Sequence, residues 1–288
     1  MSKVYQIVTD RIVQALEAGT VPWQKSWAGT AGLARNLKSG KVYRGVNAWL
    51  TNLMPFESPF WLTYKQSQAI GGNVRKGEKS TPLVFWKQWE TKDKRTGDDI
   101  KLPVLRFYSA FNVEQCDGLG DKVPQPEPPR NPDFTPIERC EAVADTYLKH
   151  GPRLEIAGTQ PSYSPTIDQV TMPSPTRFNT GEDYYNVLFH ELTHSTGHQS
   201  RLNRKTVTES QLFGGYNYGC EELVAEMGAA FLSAECRVDA LSIQENQSAY
   251  IAGWLRTIKR DSKLVVTAAA QAQKAADLIL GCQWEDQQ

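Results

Sequence analysis

Apolar residues in the first 120 positions recur at both helical and strand spacing, which predicts a mixture of helices and strands. One helical face carries the apolar side chains at positions 5, 8, 12, 15 and 16, and Gly19 ends this first helix. Further helices are predicted over residues 46–53 and 63–70. Residues 82–86 and 104–113 are predicted strands on either side of a charged hairpin, so this part of the chain predicts a small α+β domain.

Helical spacing dominates the rest of the chain. Three short runs, at residues 154–156, 162–164 and 169–172, suit strands of a small antiparallel sheet. Helices are predicted over residues 136–149, from residue 182 to Gly197, and over residues 219–234, 242–260 and 262–280. The second part is therefore predicted to be mostly helical, and the chain as a whole belongs to the α+β class.

A proline-rich segment separates the two parts. Five prolines lie between Pro124 and Pro132, and that density excludes a helix or a central strand. We therefore predict an extended, semi-rigid linker over residues 121–135, between a first domain at 1–120 and a second domain at 136–288.

The charge distribution gives the two predicted domains different chemistry. The net charge is zero, but residues 1–120 hold 17 Lys and Arg against 10 Asp and Glu, whereas residues 121–288 hold 15 against 22. Six of the eight tryptophans also lie in the first part. A split of this kind indicates two modules with different partners.

The composition indicates a cytoplasmic protein that does not enter a membrane. No apolar run approaches the roughly 20 residues of a membrane span, and the N-terminus lacks the pattern of a secretory signal. The five cysteines are scattered and form no C-x-x-C pair, which suits reduced thiols better than a disulfide framework.

The segment from His190 to His198 holds three of the four histidines and contains the pattern H-E-x-x-H. Positions i and i+4 of a helix share a face, so His190 and His194 are predicted to direct their imidazoles at one point. That arrangement suits two ligands of one zinc ion, with Glu191 beside it as general base toward a bound water. The alternative is an ordinary amphipathic helix.

A catalytic zinc ion needs a third protein ligand besides the two histidines. The metzincin spacing would place a histidine where the chain has Ser200, so that pattern fails. Glu222 and Glu226 share one face of the next predicted helix, in an arrangement that resembles the gluzincin pattern. Glu222 is the favoured ligand, with Glu226 bracing a ligand histidine or taking its place as ligand. His198 is a further alternative, and Glu221 is expected to point elsewhere.

Exposed aromatic side chains interleaved with Lys and Arg are typical of surfaces that bind single-stranded nucleic acid, because bases stack on the rings and cations track the backbone. The first part has three such stretches, at residues 23–27, 41–45 and 74–79. The alternative is that the tryptophans belong to the core. The candidate DNA-contacting residues are Trp23, Lys25, Trp27, Tyr43, Arg44, Arg75, Lys76 and Lys79.

Motifs in both parts carry a resemblance to a known family. In the first part they are Pro22-Trp23 with Trp27 and the segments 43–47, 61–66, 71–79 and 111–115. In the second part they are the segments 168–173, 190–198 and 221–226. On these motifs the chain resembles ArdC-type antirestriction proteins and the related TraC-type plasmid primases along nearly its whole length.

The resemblance implies an N-terminal domain that binds single-stranded DNA and a C-terminal zincin-like domain similar to the SprT-like proteases, which act on DNA-bound proteins. It implies a zinc site, with manganese or another divalent metal as the alternative. It also implies a plasmid-encoded protein of the bacterial cytoplasm that protects incoming plasmid DNA from host restriction during conjugation, with transfer into the recipient cell as an option.

Two other functions stay open. The first is a single-stranded DNA-binding protein whose metal is structural and whose protective effect does not need proteolysis. The second is a metal-dependent nuclease, which two histidines and one carboxylate suit less well than they suit peptide hydrolysis.

Overall fold

The computed structural model describes residues 3–24, 33–92, 95, 98–124, 136–209, 216–238 and 247–282. Its first part contains the helices α1 (Lys3–Glu17), α2 (Val46–Asn52) and α3 (Tyr64–Ala69) and the strands β1 (Arg35–Asn36), β2 (Phe60–Leu62), β3 (Asn73–Val74), β4 (Thr81–Lys92), β5 (Asp99–Asn112) and β6 (Cys116–Asp117). Its second part contains the strands β7 (Arg153–Ile156), β8 (Ser162–Ser164) and β9 (Gln169–Met172) and the helices α4 (Pro136–Leu148), α5 (Gly181–Ser195), α6 (Lys205–Thr208), α7 (Tyr216–Cys236), α8 (Gln247–Arg260) and α9 (Leu264–Ile279). These elements confirm the α+β class. Within the described residues, every helix is too short or too polar to cross a bilayer.

A long hairpin dominates the first part. β4 pairs antiparallel with β5, from Thr81 opposite Ala110 at its base to Lys92 opposite Asp99 at its outer end. Near the base β5 also pairs with β2, and β1 completes a four-stranded sheet in the order β1-β2-β5-β4. Both hairpin strands run further than the sequence predicts, because cross-strand pairing continues outward beyond the apolar segments.

β4 is an edge strand, and α2 covers part of its open side. The side chain of Asn47 in α2 donates to the backbone carbonyl of Val84 and accepts from the backbone N–H of the same residue, both at 2.8 Å. An amide side chain thus takes the place of a missing neighbouring strand at this position, and the edge groups nearest the core are satisfied.

The second sheet has three short strands in the order β7-β9-β8. β8 and β9 form an antiparallel hairpin whose turn ends at Asp168, which has a left-handed backbone conformation with a φ of 48°. β7 pairs with the other side of β9 in parallel orientation, so the sheet is mixed where the sequence predicts antiparallel pairing throughout. The apolar pattern of such short strands predicts which face of the sheet is buried. It does not predict whether two strands are parallel, because that depends on the connection between them.

The two parts of the chain share one hydrophobic core. Trp49 of α2 stacks on Phe231 of α7, with ring centroids 4.4 Å apart. Trp23 meets Trp254 of α8 edge to face, with centroids 5.2 Å apart. Because the parts pack together in this way, the division at residues 121–135 stays a prediction from the sequence.

Helix α5 carries the H-E-x-x-H segment and packs along α7. Thr180 caps the start of α5 by accepting a hydrogen bond from the backbone N–H of Asp183 at 3.1 Å. At Gly228 of α7 a Cβ atom would lie 2.5 Å from Cγ2 and 2.7 Å from Oγ1 of Thr193 on α5. Only glycine fits such an approach, so Gly228 sets the distance between these two helices.

Gly228→Ala is expected to destabilise the protein by about 1–3 kcal/mol, because the added methyl group pushes α7 away from α5. The matched control is Gly253→Ala, since a Cβ at this position of α8 meets no atom within 4 Å and alanine favours a helix over glycine. Chemical denaturation of both variants checks the prediction. Equal free energies of unfolding would show that the contact between α5 and α7 tolerates a methyl group.

Candidate metal centre

Two imidazoles meet on one face of α5. His190 and His194 lie one turn apart on this helix, and their Nε2 atoms are 3.1 Å from each other. Both side chains are largely buried. The structure thus brings the two predicted histidine ligands to one point, as the i, i+4 spacing on a helix requires.

Helix α7 brings a carboxylate to the same point. Oε2 of Glu222 lies 3.6 Å from Nε2 of His190, and Oε1 of Glu222 lies 3.5 Å from Nε2 of His194. The possible ligand atoms of these three residues all lie within 4.8 Å of one another. Ligands about 2.0–2.2 Å from a tetrahedral zinc ion would be about 3.3 Å apart. Two imidazole nitrogens and one carboxylate at these distances therefore fit a small divalent cation.

The other two candidates for the third ligand lie outside this triangle. Glu226 approaches Nδ1 of His190 at 3.8 Å, which is the ring nitrogen remote from His194. His198 turns toward Ser200, whose Oγ lies 2.8 Å from its Nδ1. The geometry favours Glu222 as the candidate ligand and places Glu226 near the other ring nitrogen of His190.

Glu226 is also tied to the first part of the chain. The side-chain amide of Gln24, which follows the buried Trp23, hydrogen-bonds the carboxylate of Glu226. Burial raises the pKa of Glu226, and the nearby His190 opposes that effect. A residue of the N-terminal part therefore reaches the edge of the candidate metal centre, for which the sequence contains no signal.

Glu221 faces the centre, which corrects the expectation that it points elsewhere. Its Oε1 lies 3.3 Å from Nδ1 of His194 and 2.5 Å from a guanidinium nitrogen of Arg204. Burial alone would raise the pKa of Glu221, but the hydrogen bond from His194 and the charge of Arg204 lower it to about 2. Glu221 is therefore an ionised carboxylate that fixes the orientation of His194.

Like Gln24, Arg204 contributes to the candidate metal centre although no motif in the sequence indicates it. It is 6% exposed, and besides Glu221 it binds Oγ1 of Thr196 at 2.6 Å and the backbone carbonyl of Thr193 at 2.8 Å. Its guanidinium thus satisfies a carbonyl in the last turn of α5 and neutralises the buried carboxylate at once. It stands ten residues beyond His194, and only the turn after α5 brings it back to that helix.

Glu191 lies beside the triangle and is not one of its three members. It is only 7% exposed. Burial raises the pKa of its carboxyl group, while His190 and His194 act to lower it. The backbone of Tyr163 in β8 also hydrogen-bonds this carboxylate. A buried carboxylate with an increased proton affinity suits a general base that takes up a proton and releases it again.

Two of the aromatic residues predicted to contact DNA are buried and are therefore excluded as contact residues. Trp23 is 0% exposed and Tyr43 is 8% exposed, so neither ring offers a face to a base. Both pack in the hydrophobic core instead. Lys25 and Trp27 lie outside the described residues.

The remaining DNA-contact candidates are charged. Arg44 forms an ion pair with Asp277 of α9, and Arg75 pairs with Glu78 at 2.9 Å. Part of the positive charge of these two arginines is therefore neutralised within the protein. The candidates with exposed lysine side chains are Lys76 and Lys79.

The sequence interpretation missed a group of aromatic side chains on the β4–β5 hairpin. Phe85, Trp86, Trp89 and Phe107 are each between 42% and 52% exposed. Residues 85–89 contain three aromatic residues around Lys87, the same mixture of aromatic and basic residues that marks the stretches 23–27 and 41–45. This segment overlaps the strand predicted at residues 82–86. Strand periodicity alone does not show that the outer half of the hairpin extends beyond the core.

Glu221→Gln is expected to weaken binding of zinc or manganese by about 10- to 100-fold, because His194 loses the carboxylate that orients it. Arg204 keeps its bonds to Thr196 and to the carbonyl of Thr193 but loses the carboxylate that neutralises it, so we expect a folded protein of lower stability. Thermal unfolding without metal confirms that the variant is folded. Glu235→Gln is the control, since Glu235 is exposed on the same helix. Calorimetric titration with metal measures both variants, and equal affinities would remove Glu221 from the centre.

Two family models match the chain. One describes the N-terminal domain of the anti-restriction factor ArdC and matches residues 2–113, and the other describes zincin-like metallopeptidases and matches residues 141–271. Among curated proteins, a DNA primase TraC of Escherichia coli is 33% identical over an alignment of 300 positions, which covers 96% of this chain and 20% of the primase. The chain thus spans about a fifth of the length of that relative. An uncharacterized protein y4eC of Sinorhizobium fredii is 33% identical over 291 residues, covering 95% of this chain and 90% of that protein.

Solved structures give the same result. The metal-free crystal structure of the antirestriction protein ArdC from plasmid R388 matches with a TM-score of 0.77 at 34% identity, over 96% of both chains. The Mn(II)-bound structure of that protein matches with a TM-score of 0.76 at 33% identity, over 97% of this chain and 98% of the other. An ArdC N-terminal domain is followed by a zincin-like domain, and the structural match extends over nearly the whole of both chains. These findings show that this chain belongs to the family of ArdC antirestriction proteins.

Proposed function

We propose that this protein protects plasmid DNA from restriction by binding single-stranded DNA and hydrolysing peptide bonds in proteins on the same strand. The observation that supports the hydrolytic part is the cluster of His190, His194 and Glu222 with Glu191 beside it. Three ligands and one neighbouring buried carboxylate are the groups that a metallopeptidase needs.

In this proposal His190, His194 and Glu222 would hold a divalent metal, which would supply Lewis acidity toward the scissile carbonyl and lower the pKa of a bound water. The carboxylate of Glu191 accepts a proton from the attacking water and then donates it to the leaving amide nitrogen. Its increased proton affinity, caused by burial, suits both steps. Glu221 keeps His194 in one orientation, and Glu226 is placed to do the same for His190.

We propose zinc as the metal of this site, with manganese as the alternative. Two imidazoles and one carboxylate are a ligand set typical of catalytic zinc, while manganese prefers more oxygen ligands. The manganese alternative is supported by the related ArdC of plasmid R388, whose structure is described as Mn(II)-bound. Metal analysis of the protein purified without added metal distinguishes the two.

DNA binding is proposed for the first part of the chain. Residues 1–120 carry an excess of seven positive charges, and they match the N-terminal domain of ArdC. Positive charge favours the phosphate backbone of any nucleic acid, and exposed aromatic rings favour unpaired bases over a duplex. The setting that fits this chemistry is a bacterial cytoplasm into which a plasmid enters as a single strand during conjugation.

A second function is a single-stranded DNA-binding protein in which the metal is structural. This alternative is favoured by the way the site residues connect the fold, because the three metal-site side chains join α5 to α7 and Gln24 links Glu226 to the first part. A metal at this position would cross-link these elements without any hydrolysis.

Glu191→Gln separates the two functions. We expect this variant to keep its metal and its affinity for DNA, because Glu191 is not a ligand, and to lose peptidase activity by about 100-fold or more. Protection of an incoming single-stranded plasmid should be lost with it. The measurements are plasmid transfer into a restricting host, metal content and DNA affinity, with Glu235→Gln as the matched control.

The opposite pattern would support the binding function. If Glu191→Gln protects the plasmid as well as wild type does, while variants that lose affinity for single-stranded DNA also lose protection, proteolysis is not required. The proposed peptidase role would then be wrong, and the DNA-binding part would account for protection.

A further inference from the structure

The outer part of the β4–β5 hairpin has two faces, which the strand register defines. Phe85, Lys87 and Trp89 alternate along one face of β4, and Arg106 of β5 lies opposite Phe85 on that face. We name this set the cationic face. The other face carries Trp86, Gln88 and Glu90 on β4 and Lys101 and Phe107 on β5.

The two faces differ in charge although both carry exposed aromatic rings. On the cationic face the paired strands place Lys87 and Arg106 and no acidic residue. On the other face Lys101 pairs with Glu90 at 3.2 Å, and the outermost pair is Lys92 opposite Asp99. The second face is therefore neutral, and only the cationic face has charge complementary to phosphate.

The aromatic side chains of the cationic face are available to a ligand. Phe85 is 42% exposed and Trp89 is 49% exposed. The two residues are four positions apart on one strand, which corresponds to about 13 Å, and Lys87 lies between them. The guanidinium of Arg106 lies 5.9 Å from the ring centroid of Trp89, so a cation borders the ring without burying it.

We propose that the cationic face, formed by Phe85, Lys87, Trp89 and Arg106, is the surface on which this protein binds single-stranded DNA. Unpaired bases stack on Phe85 and Trp89, and Lys87 and Arg106 contact the phosphates. This inference rests on the proposed function for its ligand and adds the place of binding. It also transfers the stacking role from Trp23 and Tyr43, which are buried, to rings that are exposed.

The test compares two tryptophans that lie on opposite faces of the same hairpin. The full-length protein is titrated against a fluorescently labelled oligothymidylate, and anisotropy reports the dissociation constant. Trp89→Ala is expected to weaken binding by about 5- to 100-fold, which is the effect of removing one stacked base. Trp86→Ala is the matched control, with similar exposure and the same strand, and is expected to bind within about twofold of wild type. Metal affinity of both variants confirms that each is folded.

The salt dependence of DNA binding tests whether Lys87 contacts a phosphate. On single strands each phosphate contact contributes about 0.7 to the slope of log K against log salt concentration. Lys87→Gln is expected to reduce that slope by about this amount. Lys101→Gln is the control, since Lys101 lies on the neutral face and is paired with Glu90. An unchanged slope in Lys87→Gln overturns the assignment of Lys87 as a phosphate contact.

The outcomes separate this inference from the function on which it rests. Wild-type affinity in Trp89→Ala, or an equal loss in Trp89→Ala and Trp86→Ala, overturns the assignment to the cationic face and leaves single-stranded DNA binding intact. Absence of binding by wild type overturns the proposed DNA binding, and the inference with it. A selective loss in Trp89→Ala supports both.

Discussion

The packing of α7 against α5 is the constraint on which the metal centre depends. The spacing of His190 and His194 on one helix brings two imidazoles together without help from the rest of the fold. The carboxylates of Glu221 and Glu222 belong to α7 and reach those imidazoles only because the two helices lie close. Gly228 permits that distance, since a side chain at its position would collide with α5. The centre is therefore a property of one helix pair, and small changes in their separation act directly on its geometry.

The first part of the chain supports that helix pair. Trp49 stacks on α7 through Phe231, and Trp23 packs against Trp254. Gln24 then continues the contact as far as Glu226. Parts of a protein that share a hydrophobic core do not move freely past each other. The core of the first part is consequently held at a defined position relative to the metal centre. The same contacts explain why Trp23, which lies in a stretch typical of nucleic-acid binding, is buried.

The sequence predicts those features that depend on local periodicity. It predicts the class of the fold from the spacing of apolar residues, and it predicts the one helix that carries both histidines. It also favours Glu222 as the candidate third ligand, because Glu222 and Glu226 share one face of the next helix. It does not predict the roles of Glu221 and Arg204, since Glu221 acquires its role only when the buried Arg204, from the turn after α5, pairs with it. It also does not separate the buried Trp23 from the exposed Trp89, because burial depends on where the hairpin leaves the core. The parallel pairing of β7 with β9 likewise depends on a connection and leaves no mark on the strands themselves.

Under the proposed function, the presence of a DNA-binding hairpin and a metal centre in one molecule has a consequence for specificity. A peptidase anchored to a strand meets proteins on that strand at an effective concentration set by the geometry of the tether, which for short tethers is in the millimolar range. Weak recognition of the peptide itself is then sufficient, because proximity replaces affinity. Under the proposed function, the proteins that occupy the same single strand are therefore the candidate substrates. A peptidase of this kind would select its substrates by location, so the aromatic hairpin of the first part would influence specificity together with the residues around the metal.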